Sequence, residues 1–313
     1  MRPMTLRDSA IPEREAFAAP PPLSEGDEPP FELIRPASAE TPLVYASPHS
    51  GRLYPREMMA ASALDAAAIR RSEDAWVDRL VDTAPGEGVT LLTARYARAF
   101  IDVNREPYEL DAGMFSDELP AFAQARTARV AAGLGSIARV VGEGQEIYRR
   151  KLTFADARRR IDAVHAPYHE ALAQVLADTR ARAGCAVLVD WHSMPSAAAA
   201  EGARAVNGRR RGPDIVLGDR YGASCAPLVT SVVERELTAM GYQVDRNRPY
   251  AGGWTTEHYG APAKGVHALQ IEINRALYLD EATLEPHARF ERLRHDLTRL
   301  TRALTAADWS RLG

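Results

Sequence analysis

Four short polar clusters carry the candidate chemistry of this chain. They are Pro48-His49-Ser50-Gly51, Asp102-Val103-Asn104-Arg105, Asp190-Trp191-His192-Ser193 and Glu272-Ile273-Asn274-Arg275. Each lies in or directly after an apolar run. One polar residue at a strand end is ordinary capping; four clusters at four strand ends point to a shared site. His49 and His192 are the natural metal-ligand pair, because a catalytic zinc site commonly takes two histidines and a carboxylate and leaves a position for water. The third ligand is expected in Ser72-Glu73-Asp74-Ala75-Trp76-Val77-Asp78. Glu73 and Asp74 both qualify, and the competing reading is that these acids only cap and charge a helix N-terminus. No HExxH signature is present, so spacing alone is a weak signal.

Glu272 ends the stretch Leu269-Gln270-Ile271. A carboxyl among apolar neighbours is expected to have a raised pKa and to serve as general base on water activated by a metal; the alternative is an ion pair with Arg275. Arg98, Arg105 and Arg275 could grip substrate carboxylates, because the guanidinium fork fits a carboxylate bidentately. Surface ion pairing is the alternative for each. His165-Ala166-Pro167-Tyr168-His169 has helical ligand spacing, but Pro167 between the histidines speaks against a joint site. Ser50 and Ser193 lie in no Gly-x-Ser-x-Gly elbow and are expected to support the ligands. The glycine-containing stretch 247–260, with aromatic edges at Tyr250 and Trp254, is expected to be a long loop that covers a ligand.

Strands are predicted at 42–47, 89–93, 98–103, 186–190, 214–217 and 268–273, each short, apolar and bounded by polar or glycine positions. Helical patterns run over 65–82, 143–182 (broken near Pro167), 223–240 and 284–306. This alternation predicts an α/β fold: a single-domain three-layer sandwich whose mixed, largely parallel sheet has helices on both faces. In such folds ligands bind beyond the carboxyl ends of the strands, where the polar clusters fall. Residues 1–40, rich in proline, glutamate and alanine, are expected to be an irregular arm, and 41–313 the catalytic domain.

The 313 residues are 46% hydrophobic, enough for a large core, and carry 39 basic and 42 acidic side chains for a formal net charge of −3. That balance gives no footprint for nucleic acid or an anionic membrane. Arg209 to Arg211, the densest cationic block, is expected to be a solvated loop. Two cysteines exclude a disulfide scaffold and make a reduced, cytoplasmic setting the default. No apolar stretch approaches the roughly 20 residues that span a bilayer, and no signal-peptide core opens the chain.

Read together, seven motifs resemble the N-formylglutamate amidohydrolase family in the same order over about residues 42 to 300. They are Ser47-Pro48-His49-Ser50-Gly51; Glu73-Asp74-Ala75-Trp76-Val77-Asp78-Arg79-Leu80; Arg98 through Asp102-Val103-Asn104-Arg105; Asp190-Trp191-His192-Ser193-Met194-Pro195-Ser196; Asp214-Ile215-Val216-Leu217-Gly218; Asn247-Arg248-Pro249-Tyr250-Ala251-Gly252-Gly253; and Gln270-Ile271-Glu272-Ile273-Asn274-Arg275. The resemblance implies a zinc-carboxypeptidase-like fold and hydrolysis of N-formyl-L-glutamate to formate and L-glutamate, the last step of one histidine-degradation route. It implies Zn2+ or another divalent metal on His49, Asp74 and His192, with Glu272 as base. Arg98 would help with the substrate carboxylate or polarise the scissile carbonyl, and Asn104 and Arg105, with Arg248 or Arg275, would hold the substrate carboxylates. Asp74 rather than Glu73 fits the register of the motif. The acid lies 24 or 25 residues after His49, unlike the carboxypeptidase spacing, and Trp191 stands where the pattern suggests a smaller residue, which would reshape the pocket. The partner implied is a small N-acyl amino acid, acting on a monomer or small homo-oligomer. A hydrolase of another N-acyl amino acid or small peptide, and a non-catalytic ligand-binding relative, are the competing expectations.

Overall fold

The computed structural model describes residues 28–37, 40–201, 204–206 and 209–313. Seven strands make one sheet: β1 (Phe31–Ile34), β2 (Leu43–Ser47), β3 (Thr90–Ala94), β4 (Ala186–Met194), β5 (Ile215–Gly218), β6 (Val244–Arg246) and β7 (Val266–Asn274). Their spatial order is β1-β3-β2-β4-β7-β5-β6. The four middle strands β3, β2, β4 and β7 run parallel. β1 closes one edge antiparallel to β3. At the other edge β5 is antiparallel to β7 and β6 parallel to β5. The expected mixed, mostly parallel sheet with helices on both faces is what the structure contains.

Both faces are apolar because side chains alternate across a strand. Leu43 and Tyr45 of β2, Val187, Val189 and Trp191 of β4, and Leu269, Ile271 and Ile273 of β7 share one core. Helices Pro227–Ala239 and Phe290–Thr305 cover that face through Val229, Val233 and Leu237 and through Leu293, Leu297, Leu300 and Leu304. The residues in between, Val44, Ala46, Leu188 and Ala268, join a second core on the opposite face. There the helix Ala166–Ala183 packs Leu172, Val175 and Leu176. A fully buried Val or Leu contributes about 1.5–3 kcal/mol, so these faces dominate the stability of the sheet.

Several local expectations are corrected. The expected arm 1–40 contains one regular element, because Phe31–Ile34 adds an edge strand through backbone pairing that its irregular composition does not announce; residues 1–27 and 38–39 lie outside the described residues. The stretch 98–103 is a turn, with Phe100 and Ile101 N–H both bonded to the Ala97 carbonyl. The pattern over 65–82 splits into Ala66–Ile69, a 3-10 turn Arg70–Ser72 and Val77–Leu80, since Trp76 takes a left-handed backbone at φ 66°. Pro167 breaks nothing: Phe154–Arg160 continues through a π turn, Ile161–His165, into Ala166–Ala183, with the proline in the first turn after the π turn. The 247–260 loop contains a short helix, Trp254–Tyr259, and Arg209–Arg211 pairs with Arg204–Val206 as a hairpin rather than a loop.

Candidate functional site

The parallel strands β2, β3, β4 and β7 all end on the same side of the sheet, and the polar clusters sit there. Period-two alternation places Asp190 and His192 of β4 on the face opposite Trp191, and Gln270 and Glu272 of β7 beside them. Glu272 is the direct cross-strand partner of His192, and Gln270 of Asp190. His49 arrives two residues past the end of β2. The chain can turn there because Gly51 passes against the Tyr96 backbone, where any Cβ would lie 2.2 Å from the Tyr96 carbonyl oxygen.

Three donor atoms converge. His192 Nδ1 lies 3.0 Å from His49 Nδ1 and 3.0 Å from Asp74 Oδ2, and His49 Nδ1 lies 3.3 Å from the same carboxylate oxygen. All three residues are buried. Their outer nitrogens are each committed to a carboxylate: His49 Nε2 to Asp102 Oδ1 at 2.7 Å, and His192 Nε2 to Asp190 Oδ2 at 3.0 Å. With each Nε2–H donated outward, both Nδ1 lone pairs and one carboxylate oxygen face a common point. Three acceptors so close repel one another unless a proton or a cation sits among them. Donors bound to one tetrahedral ion at about 2.0–2.2 Å lie about 3.3 Å apart, so the triangle fits a divalent metal. Outward carboxylates that fix the tautomer are the usual second layer of such sites.

The two candidate acids have different partners. Glu73 forks onto Arg70 at 3.0 and 3.2 Å and accepts from Tyr54 Oη at 2.8 Å. Asp74 turns to the histidines, and its backbone N–H donates to the His49 carbonyl at 3.0 Å. The break in helix around 73–76 is what allows this. Asp74 Oδ1 receives Arg275 Nη2 at 3.0 Å, and Arg98 Nη1 stands 3.9 Å away. Burial alone would raise the Asp74 carboxyl, but His192, His49 and Arg98 together hold it well below the usual range. Asp102 behaves likewise, with Arg98 and His49 outweighing burial.

Glu272 is the one acid of the cluster pushed the other way. Burial raises it to about 7; His192, Arg98 and Arg275 pull it down and the Asp74 charge pushes it up. Its Oε1 accepts from Gln270 Nε2 at 2.7 Å, and Gln270 Oε1 in turn accepts the Gly253 N–H at 2.7 Å. A carboxyl poised near neutrality beside three convergent metal-type donors has the character of a general base.

The remaining expected residues are placed as follows. Arg98 Nη2 binds Asp102 Oδ2 at 2.7 Å, at the wall of the site. Three expected carboxylate holders are turned to other tasks, because buried polar groups must be paired where they lie. Arg275 braces Asp74 and donates to Ser193 Oγ at 3.2 Å. Asn104 donates to Asp190 Oδ2 at 3.4 Å and accepts the Thr255 N–H at 2.7 Å. Arg105 spends Nε and Nη1 on the carbonyls of Leu134 and Asn104. Arg248 is exposed. Trp191 is fully buried on the far face, edge-on to Tyr45 at 5.3 Å, so it does not reshape the pocket. Ser50 bonds Ser47 at 2.8 Å, whereas Ser193 does support the ligand set, through Arg275.

Sequence reasoning missed the separate roles of Asp102 and Asp190 behind the histidines; for Asp190 the signal was available, two residues before His192 on the same strand face. Tyr250, on the segment expected to cover a ligand, is 39% exposed. Burial and the charges of Glu272 and Asp74 raise its pKa against Arg275 and Arg98. Replacing Asp190 with asparagine should weaken metal binding about 10–100-fold with little loss of fold; chelator competition measures it, and unchanged affinity would remove Asp190 from the site.

A sequence profile of the N-formylglutamate amidohydrolase family matches residues 41–279. The chain is 33% identical to the N-formylglutamate deformylase of Pseudomonas aeruginosa over 277 residues, covering 87% of this chain and 93% of that protein. It is 29% identical to the N-formylglutamate deformylase of Pseudomonas putida over 243 residues, 77% and 82% of the two chains. The crystal structure of N-formylglutamate amidohydrolase from Ralstonia eutropha superposes with a TM-score of 0.82 at 38% identity, covering 88% of this chain and 97% of that one. A gene product of Agrobacterium tumefaciens shares the fold at TM-score 0.60 and 19% identity.

Proposed function

The chain belongs to the N-formylglutamate amidohydrolase family, and from that membership we propose that it hydrolyses N-formyl-L-glutamate to formate and L-glutamate, as the closing step of a histidine-degradation route, with zinc or another divalent metal held by His49, Asp74 and His192. The observation that carries the reading is the 3.0–3.3 Å triangle of His49 Nδ1, His192 Nδ1 and Asp74 Oδ2 with Glu272 on the neighbouring strand.

A metal bound there would polarise the formyl carbonyl and acidify water. The protein's own groups do the rest. Asp102 and Asp190 hold both imidazoles with Nδ1 unprotonated, and Arg275 keeps Asp74 turned inward. Glu272 takes a proton from the attacking water at its carboxylate while the C–O bond forms. It delivers that proton to the amide nitrogen as the C–N bond breaks, so formate and the free amine leave in balance. Arg98 brings a fixed positive charge to the wall where the carbonyl oxygen becomes negative. Arg248 and the Tyr250 hydroxyl are the groups on the 247–253 segment that would meet the carboxylates of the substrate.

A panel of formyl, acetyl and succinyl derivatives of glutamate, glutamine and leucine tests the substrate. The expected result is fastest turnover with N-formyl-L-glutamate, and the neutral N-formyl-L-leucine should fall behind mainly in KM. Preference for an acetyl or succinyl compound would overturn the assignment and point to a related N-acyl amino acid hydrolase.

A further inference from the structure

One helix reads the backbone of the turn that stands behind the two site histidines. Residues 98–105 have no strand partner, so their carbonyls need donors elsewhere. The segment 160–169 supplies three of them. Arg160 Nη1 donates to the Phe100 carbonyl at 3.0 Å, His169 Nε2 to Val103 at 2.7 Å and His165 Nε2 to Arg105 at 2.9 Å. A carbonyl oxygen can only accept, so each ring nitrogen carries its hydrogen.

The π turn Ile161–His165 makes this possible. In a regular α-helix residues five apart stand about 140° apart around the axis. The i to i+5 bonding of a π turn brings them onto one face, so Arg160 joins His165, and His169 follows four residues on. Between the held carbonyls lie the residues that matter. Asp102 bonds His49 Nε2, and Asn104 reaches Asp190 and lies 3.1 Å from His192 Nε2. The same helix also grips the segment across the site: His169 Nδ1 pairs with Tyr259 Oη at 2.9 Å, and the Trp254 ring lies 4.6 Å from His169 and 5.7 Å from His165. Burial keeps His165 at about 4 and His169 well below the ordinary imidazole range, so both rings present a fixed donor at neutral pH.

We propose that Arg160, His165 and His169 are positioning residues: a three-point clamp on the 100–105 turn that sets Asp102 and Asn104 behind His49 and His192 and thereby tunes the metal affinity of the centre. The inference rests on the metal-centre reading above. It makes the helix part of the site although none of the three side chains reaches the donor triangle.

The test is the zinc dissociation constant of metal-free protein, by competition with a chromophoric chelator, in the wild type and in His165→Leu and His165→Gln. Leucine fills the space without a donor; glutamine restores an N–H near the place of Nε2. His165→Leu should bind zinc about tenfold more weakly, the lower end of what outer-layer changes cost, and His165→Gln should regain most of it. His169→Leu gives an independent second removal from the same clamp, should the first variant not fold. Wild-type affinity in either folded leucine variant, or a glutamine variant no better than leucine, overturns the clamp alone. Absence of tight zinc binding in the wild type would overturn the metal reading itself.

Discussion

Glu272→Gln should lower kcat about 10²–10⁴-fold, the range that a positioned general base supplies, while the protein keeps its full metal content. The substitution is nearly isosteric. Gln270 Nε2 can still donate to the oxygen that replaces Glu272 Oε1, so the wall of the site is kept and only the proton acceptor is lost. Glu272 is not one of the three convergent donors, which is why metal content should not follow activity. The pH dependence has a definite sign. The base works ionised; burial raises its pKa to about 7, and a bound cation would draw it lower. Activity of the wild type should therefore fall as pH drops through a limb at or below about 7, and that limb should be missing from the residual activity of the variant. Near-normal turnover in Glu272→Gln would remove Glu272 from the chemistry.

The second large effect concerns the donor triangle. His192→Ala should abolish zinc retention and turnover together, and lower the melting temperature of the metal-free protein. Asp74 and Asp190 flank the imidazole on its two sides at 3.0 Å each. Removing the ring leaves buried carboxylate charge without its partner, which typically costs about 3–5 kcal/mol. Burial alone disfavours the charged ring, but Asp190 and Asp74 hold the His192 pKa well above its usual value in the metal-free state. Loading a metal must displace that proton, so affinity weakens as pH falls. Metal analysis and thermal melts of purified protein measure both effects. Full zinc content in His192→Ala would contradict the ligand assignment.

Much of the site was legible because it is written in alternation. Polar residues at 190 and 192, and at 270 and 272, interrupt apolar strands at every second position, so one face at one end of the sheet had to be polar. His49 was legible as the histidine just past another strand. The difference between Glu73 and Asp74 was not, since it depends on Arg70 and Tyr54 claiming Glu73, and only the family register favoured Asp74. The contacts that Arg275 and Asn104 make inside the protein were illegible for a related reason. A list of cations at strand ends does not show which carboxylates they are buried beside, and Arg275 is committed to Asp74. The 98–103 stretch read as a strand because it is apolar, yet its Phe100 and Val103 carbonyls accept from side chains of a distant helix. Trp191 raised concern for the pocket only because the strand's parity was not applied to it.

The most direct measurement is to strip the protein of metal with a chelator and add zinc back in steps while following formate release from N-formyl-L-glutamate. The account predicts negligible release without metal, and a rise that saturates at about one equivalent per chain, as a single three-ligand site requires. Full turnover in the metal-free protein, or zinc bound at that stoichiometry with no formate released, would contradict it.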